Sequence, residues 1–154
     1  MDKPQTRVMF VCMGNICRSP AAECFFRRAT HDANCAAQFF ISSSGTGGWH
    51  VGSSPDGRMI EAAKKYGWNI EGQAQQLTVE DLASFDWFFC MDQDNLDHVL
   101  ALGSNPEKTK LLLPFIGRKD PLEVPDPYYG GEDGFESVVV LINEATVKLV
   151  DLLV

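Results

Sequence analysis

The stretch Arg7-Val8-Met9-Phe10-Val11-Cys12-Met13-Gly14-Asn15-Ile16-Cys17-Arg18-Ser19-Pro20 changes character halfway along. Residues 7–12 are a short, nearly all-apolar run, suited to a strand buried on both faces. Ser19 and Pro20 then open a helix, since serine can cap and proline fits the first helical position. Ala21, Ala22, Phe25, Phe26 and Ala29 carry that helix onward. A strand, a loop and a helix in this order put the loop at the carboxyl edge of a sheet and at a helix N-terminus. That is where α/β proteins bind anions.

The rest of the chain continues the alternation. Residues 38–43 (QFFISS) read as a second strand, followed by a loop of small residues over 44–54 (SGTGGWHVGSS). Pro55 starts a helix through Tyr66 that Gly67 ends. Thr78-Val79-Glu80-Asp81 resembles a capping box, with Asp in place of the usual Glu. Residues 86–91 (DWFFCM) read as a third strand, 92–102 as a helix and 110–113 as a fourth strand. The connection from there to Gly131 holds Pro114, Pro121, Pro125 and Pro127 and reads as a loop, and loops of such length are usually functional. A final helix runs from about Phe135 to the end, with Val138, Val139, Ile142, Ala145, Leu149 and Leu153 on one face. The whole predicts an α/β sandwich with a parallel sheet in one domain spanning residues 1–154.

Consider what the 12–20 loop can do. A phosphate needs several N–H donors converging on its oxygens, and a loop with inward amides supplies them. Gly14 and Asn15 are the residue types that tolerate left-handed φ and can turn the chain inward. Arg18 follows Cys12 at the spacing Cys-x5-Arg, so both ends of the loop can face one oxyanion, with the guanidinium fork matching two oxygens. The same surroundings favour the Cys12 thiolate, the form that attacks. Ser19 can donate to that sulfur. Ester cleavage also needs a proton for the departing oxygen. The candidate is Asp126, on a stiff loop between Pro125 and Pro127, beside Tyr128 and Tyr129.

Composition narrows the function classes. The chain has 154 residues and a formal net charge of −8, against nonspecific nucleic-acid binding, which needs clustered Lys and Arg. An anion site must then be positive locally on an acidic background. No apolar run reaches the length of a membrane span. The five cysteines, an odd number, with no Cys-x-x-Cys pair and three scattered histidines, point to reduced thiols in the cytoplasm rather than a disulfide framework or a zinc site. No G-x-x-x-x-G-K-[ST] is present, which excludes a nucleotide-binding P-loop.

Four blocks in order, VCMGNICRSPAAE, SSGTGGWHVG, FFCMDQDN and PDPYYGGEDGFE, resemble the successive motifs of the low-molecular-weight protein tyrosine phosphatases. The resemblance covers nearly the whole chain. It implies a three-layer sandwich with a four-stranded parallel sheet, helices on both faces and the phosphate loop between the first strand and first helix. It implies hydrolysis of phosphotyrosine-like aryl phosphates through a phosphocysteine, with Cys12 as nucleophile, Arg18 as phosphate clamp and Asp126 as general acid and base. Met13, Gly14, Asn15, Ile16, Cys17 and Ser19 complete the phosphate loop in this reading. Asn15, Ser19 and Ser43 match positions that hold it in shape, and Trp49, Tyr128 and Tyr129 match an aromatic pocket rim. Cys17 matches a cysteine that in some members forms a reversible disulfide with the nucleophile. No metal or organic cofactor is implied. The implied partners are a phosphotyrosine-bearing protein, with a tyrosine kinase as one candidate, or a small aryl phosphate.

One stretch departs from the family's pattern. Where many members carry a His and an Arg, this chain reads Glu71-Gly72-Gln73-Ala74-Gln75-Gln76, and Gln73 is the candidate to replace the missing histidine beside the loop asparagine. His50 and His98 read as surface or capping residues. Asp92, Asp94 and Asp97 read as a solvated helix N-terminus. Cys24, Cys35 and Cys90 read as structural. Two other functions share parts of the pattern. An arsenate reductase of the same fold would need paired resolving cysteines, and only Cys90 lies far downstream. A phosphate-binding module without turnover would need neither Cys12 nor Asp126.

Overall fold

A computed structural model of the chain describes residues 4–127 and 132–154. Four strands, β1 (Thr6–Cys12), β2 (Phe39–Gly45), β3 (Trp87–Cys90) and β4 (Thr109–Leu111), form one parallel sheet in the order β2-β1-β3-β4. Among the described residues six α-helices accompany it: α1 (Arg18–Asp32), α2 (Gly57–Lys64), α3 (Val79–Ser84), α4 (Gln93–Ala101), α5 (Leu112–Phe115) and α6 (Glu132–Leu153).

Period-two alternation along the buried strand β1 divides the core between the two faces of the sheet. Val8, Phe10 and Cys12 face one side, packing with Phe26 of α1, Met59 of α2 and Ile142 and Leu149 of α6. Met9 and Val11 face the other, packing with Phe88, Cys90 and Val99 of α4. Each of these β1 side chains is at most 3 % exposed, so both faces are sealed, as the apolar run requires. On the first face Phe10 meets Phe26 edge-on at 5.6 Å and Phe89 at 6.0 Å between ring centroids. The register places Cys12 opposite Gly45, so the ends of β1 and β2 meet where the loop from Cys12 to Arg18 begins.

The elements follow the sequence closely, with differences at their ends. Helix α1 begins at Arg18, with Cys17 at its N-cap and no side-chain cap bond. Ser19 is therefore not the cap: it is fully buried and its hydroxyl turns toward Cys12. Pro20 is the third helical residue, still in the first turn, where a missing N–H costs no intrahelical bond. Helix α2 is capped by Asp56, whose Oδ1 accepts from the Arg58 N–H at 2.8 Å, so Pro55 lies before the helix rather than in it. Gly67 does sit in left-handed conformation after it, at φ +79°. The Thr78–Asp81 capping box is present, with both reciprocal bonds.

The fourth strand, expected over residues 110–113, is shorter at its end, because Leu112 and Leu113 belong to a helical turn. Here β4 starts at Thr109 and ends at Leu111. Leu112 opens a single helical turn that puts Phe115 against Trp87 and Phe89. The proline-rich connection thus contains a short helix. Beyond it, the loop is pinned at Val124, fully buried, whose N–H donates to the Met91 carbonyl at 2.8 Å. Helix α6 begins at Glu132, a few residues earlier than its apolar face suggests. Among the described residues no helix is long and apolar enough to cross a membrane.

Candidate active site

The loop from Cys12 to Arg18 is held from outside by its own carbonyls. The Cys12 and Met13 carbonyls accept from Thr46 and Gly47 N–H at 2.9 and 3.0 Å, and the Ile16 carbonyl accepts from Asp56 N–H at 2.7 Å. With these carbonyls tied outward, the loop can turn amides toward its centre. The Asn15 N–H does so, donating to Cys12 Sγ at 3.3 Å, and Asn15 itself adopts φ +57°. That left-handed conformation is one asparagine tolerates better than most residues. The approach of β2 is close: a Cβ on Gly45 would fall 2.7 Å from the Met13 carbonyl oxygen and 3.1 Å from the Asn15 nitrogen. Only glycine fits there without moving the loop.

Cys12 is buried at the end of β1, with Ser19 Oγ 2.9 Å from its sulfur. Asn15 Nδ2 donates to Ser19 Oγ at 2.8 Å and to Ser43 Oγ at 3.0 Å. Ser43 in turn donates to Glu23 Oε1 at 2.7 Å. Asn15, Ser19 and Ser43, singled out in the sequence, thus form one connected network behind Cys12. Glu23 extends it, and Arg27 holds Glu23 at 2.8 Å.

Arg18 is almost completely buried at the start of α1. Its Nη1 donates to Asp92 Oδ2 at 2.7 Å and to the Val124 carbonyl at 3.0 Å. Both Nη1 hydrogens are then used, leaving Nε–H and Nη2 for an anion. Burial opposes the guanidinium charge, but Cys12 and Asp92 outweigh it and hold its pKa above the ordinary value. Asp92 also caps α4, its Oδ1 accepting from Asn95 N–H at 2.9 Å. It is therefore more than a solvated helix N-terminus, as its sequence position suggested. One oxygen serves the helix and the other serves Arg18.

Cys12, Arg18 and Asp126 line a single cavity of about 40 Å³, together with Met13, Gly14, Ile16, Cys17 and His50. Asp126, half-buried, lies close enough to raise the titration of both Arg18 and Cys17. Burial, Asp56, Cys12 and Asp126 together push the Cys17 thiol up to about 12, so it is protonated at neutral pH. Trp49 does not line the cavity. It is 73 % exposed, with its ring folded over Gly47, where any side chain would collide with it. Tyr128 and Tyr129 lie outside the described residues.

Two residues were undervalued in the sequence. His50 lines the cavity, its ring 3.0 Å from where a Gly14 Cβ would stand. Nothing distinguishes it from a surface histidine until the 46–52 loop folds over the Cys12–Arg18 loop. Asp92 was visible only as a helix cap. Gln73, by contrast, does not reach Asn15. It borders a cavity of about 20 Å³ between Asn15, Glu23, Ser43 and Gly72, and the Asn15 Oδ1 accepts instead from the main chain of Gln75. Cys35 and Cys90 are buried, and burial raises the thiols of Cys24 and Cys90. Among the described residues no group of three or more His, Cys, Asp or Glu side chains is placed to hold a metal ion.

Comparison with known proteins places this geometry. The family model described as low molecular weight phosphotyrosine protein phosphatase matches residues 7–153. The low molecular weight phosphotyrosine protein phosphatase of Sus scrofa is 41 % identical over 134 residues, 85 % of each chain. The crystal structure of a protein tyrosine phosphatase from Entamoeba histolytica, with Hepes in the active site, superposes with a TM-score of 0.89 at 33 % identity over 96 % of both chains. YfkJ from Bacillus subtilis superposes with a TM-score of 0.91 at 34 % identity, over 98 % of this chain and 96 % of that one. With a family match over nearly all its length and the four-stranded parallel fold of these structures, the chain belongs to the low-molecular-weight phosphotyrosine protein phosphatases, which are cysteine-dependent hydrolases.

Proposed function

We propose that the protein hydrolyses phosphotyrosine-like aryl phosphate monoesters in two steps at the Cys12 loop. The observation that carries this is the convergence of one thiol, one guanidinium and one carboxyl, those of Cys12, Arg18 and Asp126, on one small cavity. A nucleophile, a charge clamp and a proton source are what phosphoryl transfer to a thiol requires.

In the first step Cys12 Sγ forms a bond to phosphorus as the bond to the leaving oxygen breaks, and Asp126 gives that oxygen its proton. In the second, water attacks phosphorus, its proton passes to Asp126 and the S–P bond breaks to return the thiolate. Arg18, with Nε–H and Nη2 still available, spans two non-bridging oxygens in both steps. The Asn15 N–H already donates to Sγ, and the Ser19 hydroxyl, 2.9 Å from it, can turn its proton from the Ser44 carbonyl to the sulfur, so that both stabilise the sulfur as it leaves. Because Cys12 is only 3 % exposed, in a small cavity that Met13 and His50 also line, a phosphate on a long aromatic arm reaches it more readily than one on a short seryl arm.

The test is hydrolysis of para-nitrophenyl phosphate at mildly acidic pH with EDTA and reductant, wild type against Cys12→Ser. Turnover in wild type that vanishes in the variant is expected. Equal turnover in both would overturn the reading.

A further inference from the structure

The phosphate loop is gripped from a side its own sequence does not reveal. Asn15 holds a left-handed φ with three side-chain bonds, and two of the partners, Ser19 and Ser43, are single hydroxyls that can rotate. The third is rigid: Asn15 Oδ1 accepts the main-chain N–H of Gln75 at 2.9 Å. A main-chain donor is only as fixed as its segment, and residues 72–76 form neither helix nor regular strand. They are fixed by main-chain bonds on both sides, Ala74 with Ser53 and Gly52 and the Leu77 N–H with the Gly45 carbonyl, each at 2.8 Å, and by Gln75, which reaches β2 with its side chain as well as its main chain. Its Nε2 donates to the Ser43 carbonyl at 2.7 Å and to Ser42 Oγ at 3.0 Å, while the Gln75 carbonyl accepts from Gly45 N–H at 2.8 Å. One residue therefore ties β2 to Asn15 through its main chain and to β2 again through its amide.

We infer that Gln75 is a positioning residue for the phosphate loop, acting through Asn15 and not touching substrate. The inference rests on the loop being the reactive site proposed above. Its route is short. Gln75 orients the Asn15 carboxamide, the carboxamide orients Ser19 Oγ and the Asn15 N–H, and both of these meet Cys12 Sγ. The requirement on the side chain is a donor. The Ser43 carbonyl accepts, so a glutamate of the same shape would set acceptor against acceptor, while a lysine still reaches with an N–H. Gln75 is exposed, so its replacement opens no hole in the core.

The experiment compares wild type, Gln75→Ala, Gln75→Glu and Gln75→Lys in three readouts: binding of inorganic phosphate by calorimetry, kcat and KM on para-nitrophenyl phosphate, and the thermal midpoint. Loss of one hydrogen-bonded tether corresponds to a change of roughly 3- to 10-fold. Phosphate binding and kcat/KM are expected to fall by that factor in the Ala and Glu variants, to stay near wild type in the Lys variant, and to fall without a matching loss of thermal stability. Unchanged phosphate binding in the Ala and Glu variants, or equal losses in all three that track the thermal midpoint, would overturn it. Because phosphate binding needs no turnover, the two readings fail separately. An inactive wild type whose phosphate affinity still depends on the residue 75 donor refutes the phosphatase mechanism alone. An active wild type indifferent to residue 75 refutes the Gln75 role alone.

Discussion

The Arg18 guanidinium is anchored 2.7 Å from Asp92 Oδ2, a contact between residues 74 apart in the chain that joins the N-termini of helices α1 and α4. The anchor spends one end of the fork on the protein and leaves the other for substrate. It also sets a penalty for its removal. An almost fully buried cation that loses its carboxylate is left uncompensated, and such losses are large. Asp92→Asn keeps an oxygen for the α4 cap but puts a donor against Arg18. A fall in kcat/KM of roughly 10- to 100-fold is expected, the scale of one charged hydrogen bond. Steady-state kinetics on an aryl phosphate check it, with circular dichroism to confirm that α4 remains folded.

Arg18→Lys tests the fork itself. A single ammonium cannot serve Asp92, the Val124 carbonyl and two phosphate oxygens together. Most of the activity is expected to disappear, with weaker inhibition by inorganic phosphate. Near-normal turnover would show that charge alone suffices.

Asp126→Asn removes the proposed proton donor and keeps the shape. Hydrolysis of esters with good leaving groups is expected to persist in part, while alkyl or unactivated aryl phosphates slow by about 10²–10⁴-fold, the usual worth of general acid catalysis. A series of substituted phenyl phosphates reads this as a steeper dependence on leaving-group acidity. An unchanged slope would remove Asp126 from the acid role.

Gly45→Ala places a methyl 2.7 Å from the Met13 carbonyl oxygen, backbone against backbone, so the loop must shift. Destabilisation of about 1–3 kcal/mol is expected from overpacking, together with weakened phosphate binding. Thermal melts and phosphate titration check the two effects. Gly57→Ala, where an added Cβ meets nothing within 4 Å, is the control.

Cys17 gives the alkaline behaviour a definite sign. Its thiol is raised from an ordinary 9.0 to about 12, so above pH 9 the unfolded chain releases a proton that the folded chain retains. Its contribution to stability is complete below pH 9 and is lost as pH rises toward 12. At pH 10 the loss is on the order of 1 kcal/mol for this one group. Cys17→Ala is expected to flatten the fall in stability between pH 9 and 10.5, measured by urea unfolding with reductant. A fall as steep as wild type would place the titrating group elsewhere.

Much of this molecule is legible in its residues because local rules govern them. A nearly all-apolar β1, the turn at Gly14 and Asn15 and the helix after it read as strand, loop and helix, and that order alone puts a cysteine and an arginine around one anion-sized turn. The capping box at Thr78 and the left-handed Gly67 are local too, set by side chains a few positions apart. The helix start at Arg18 was misread because the serine that would cap it instead meets Cys12, a contact internal to the loop but invisible to propensity.

What required the fold are relations between distant segments. The meeting of Arg18 with Asp92, of Gly45 with Met13 and of Asn15 with Gln75 depends on sheet order and register, with β3 beside β1 and β2 ending level with Cys12. His50 and Gln75 carry no distinguishing pattern, since an exposed polar residue in a loop looks the same whether it faces solvent or a reactive loop. The residue types for chemistry were thus written in the chain, while the supports that aim them came from long-range packing, because hydrogen-bond partners are chosen by proximity in space and sequence spacing constrains that only within a turn or two.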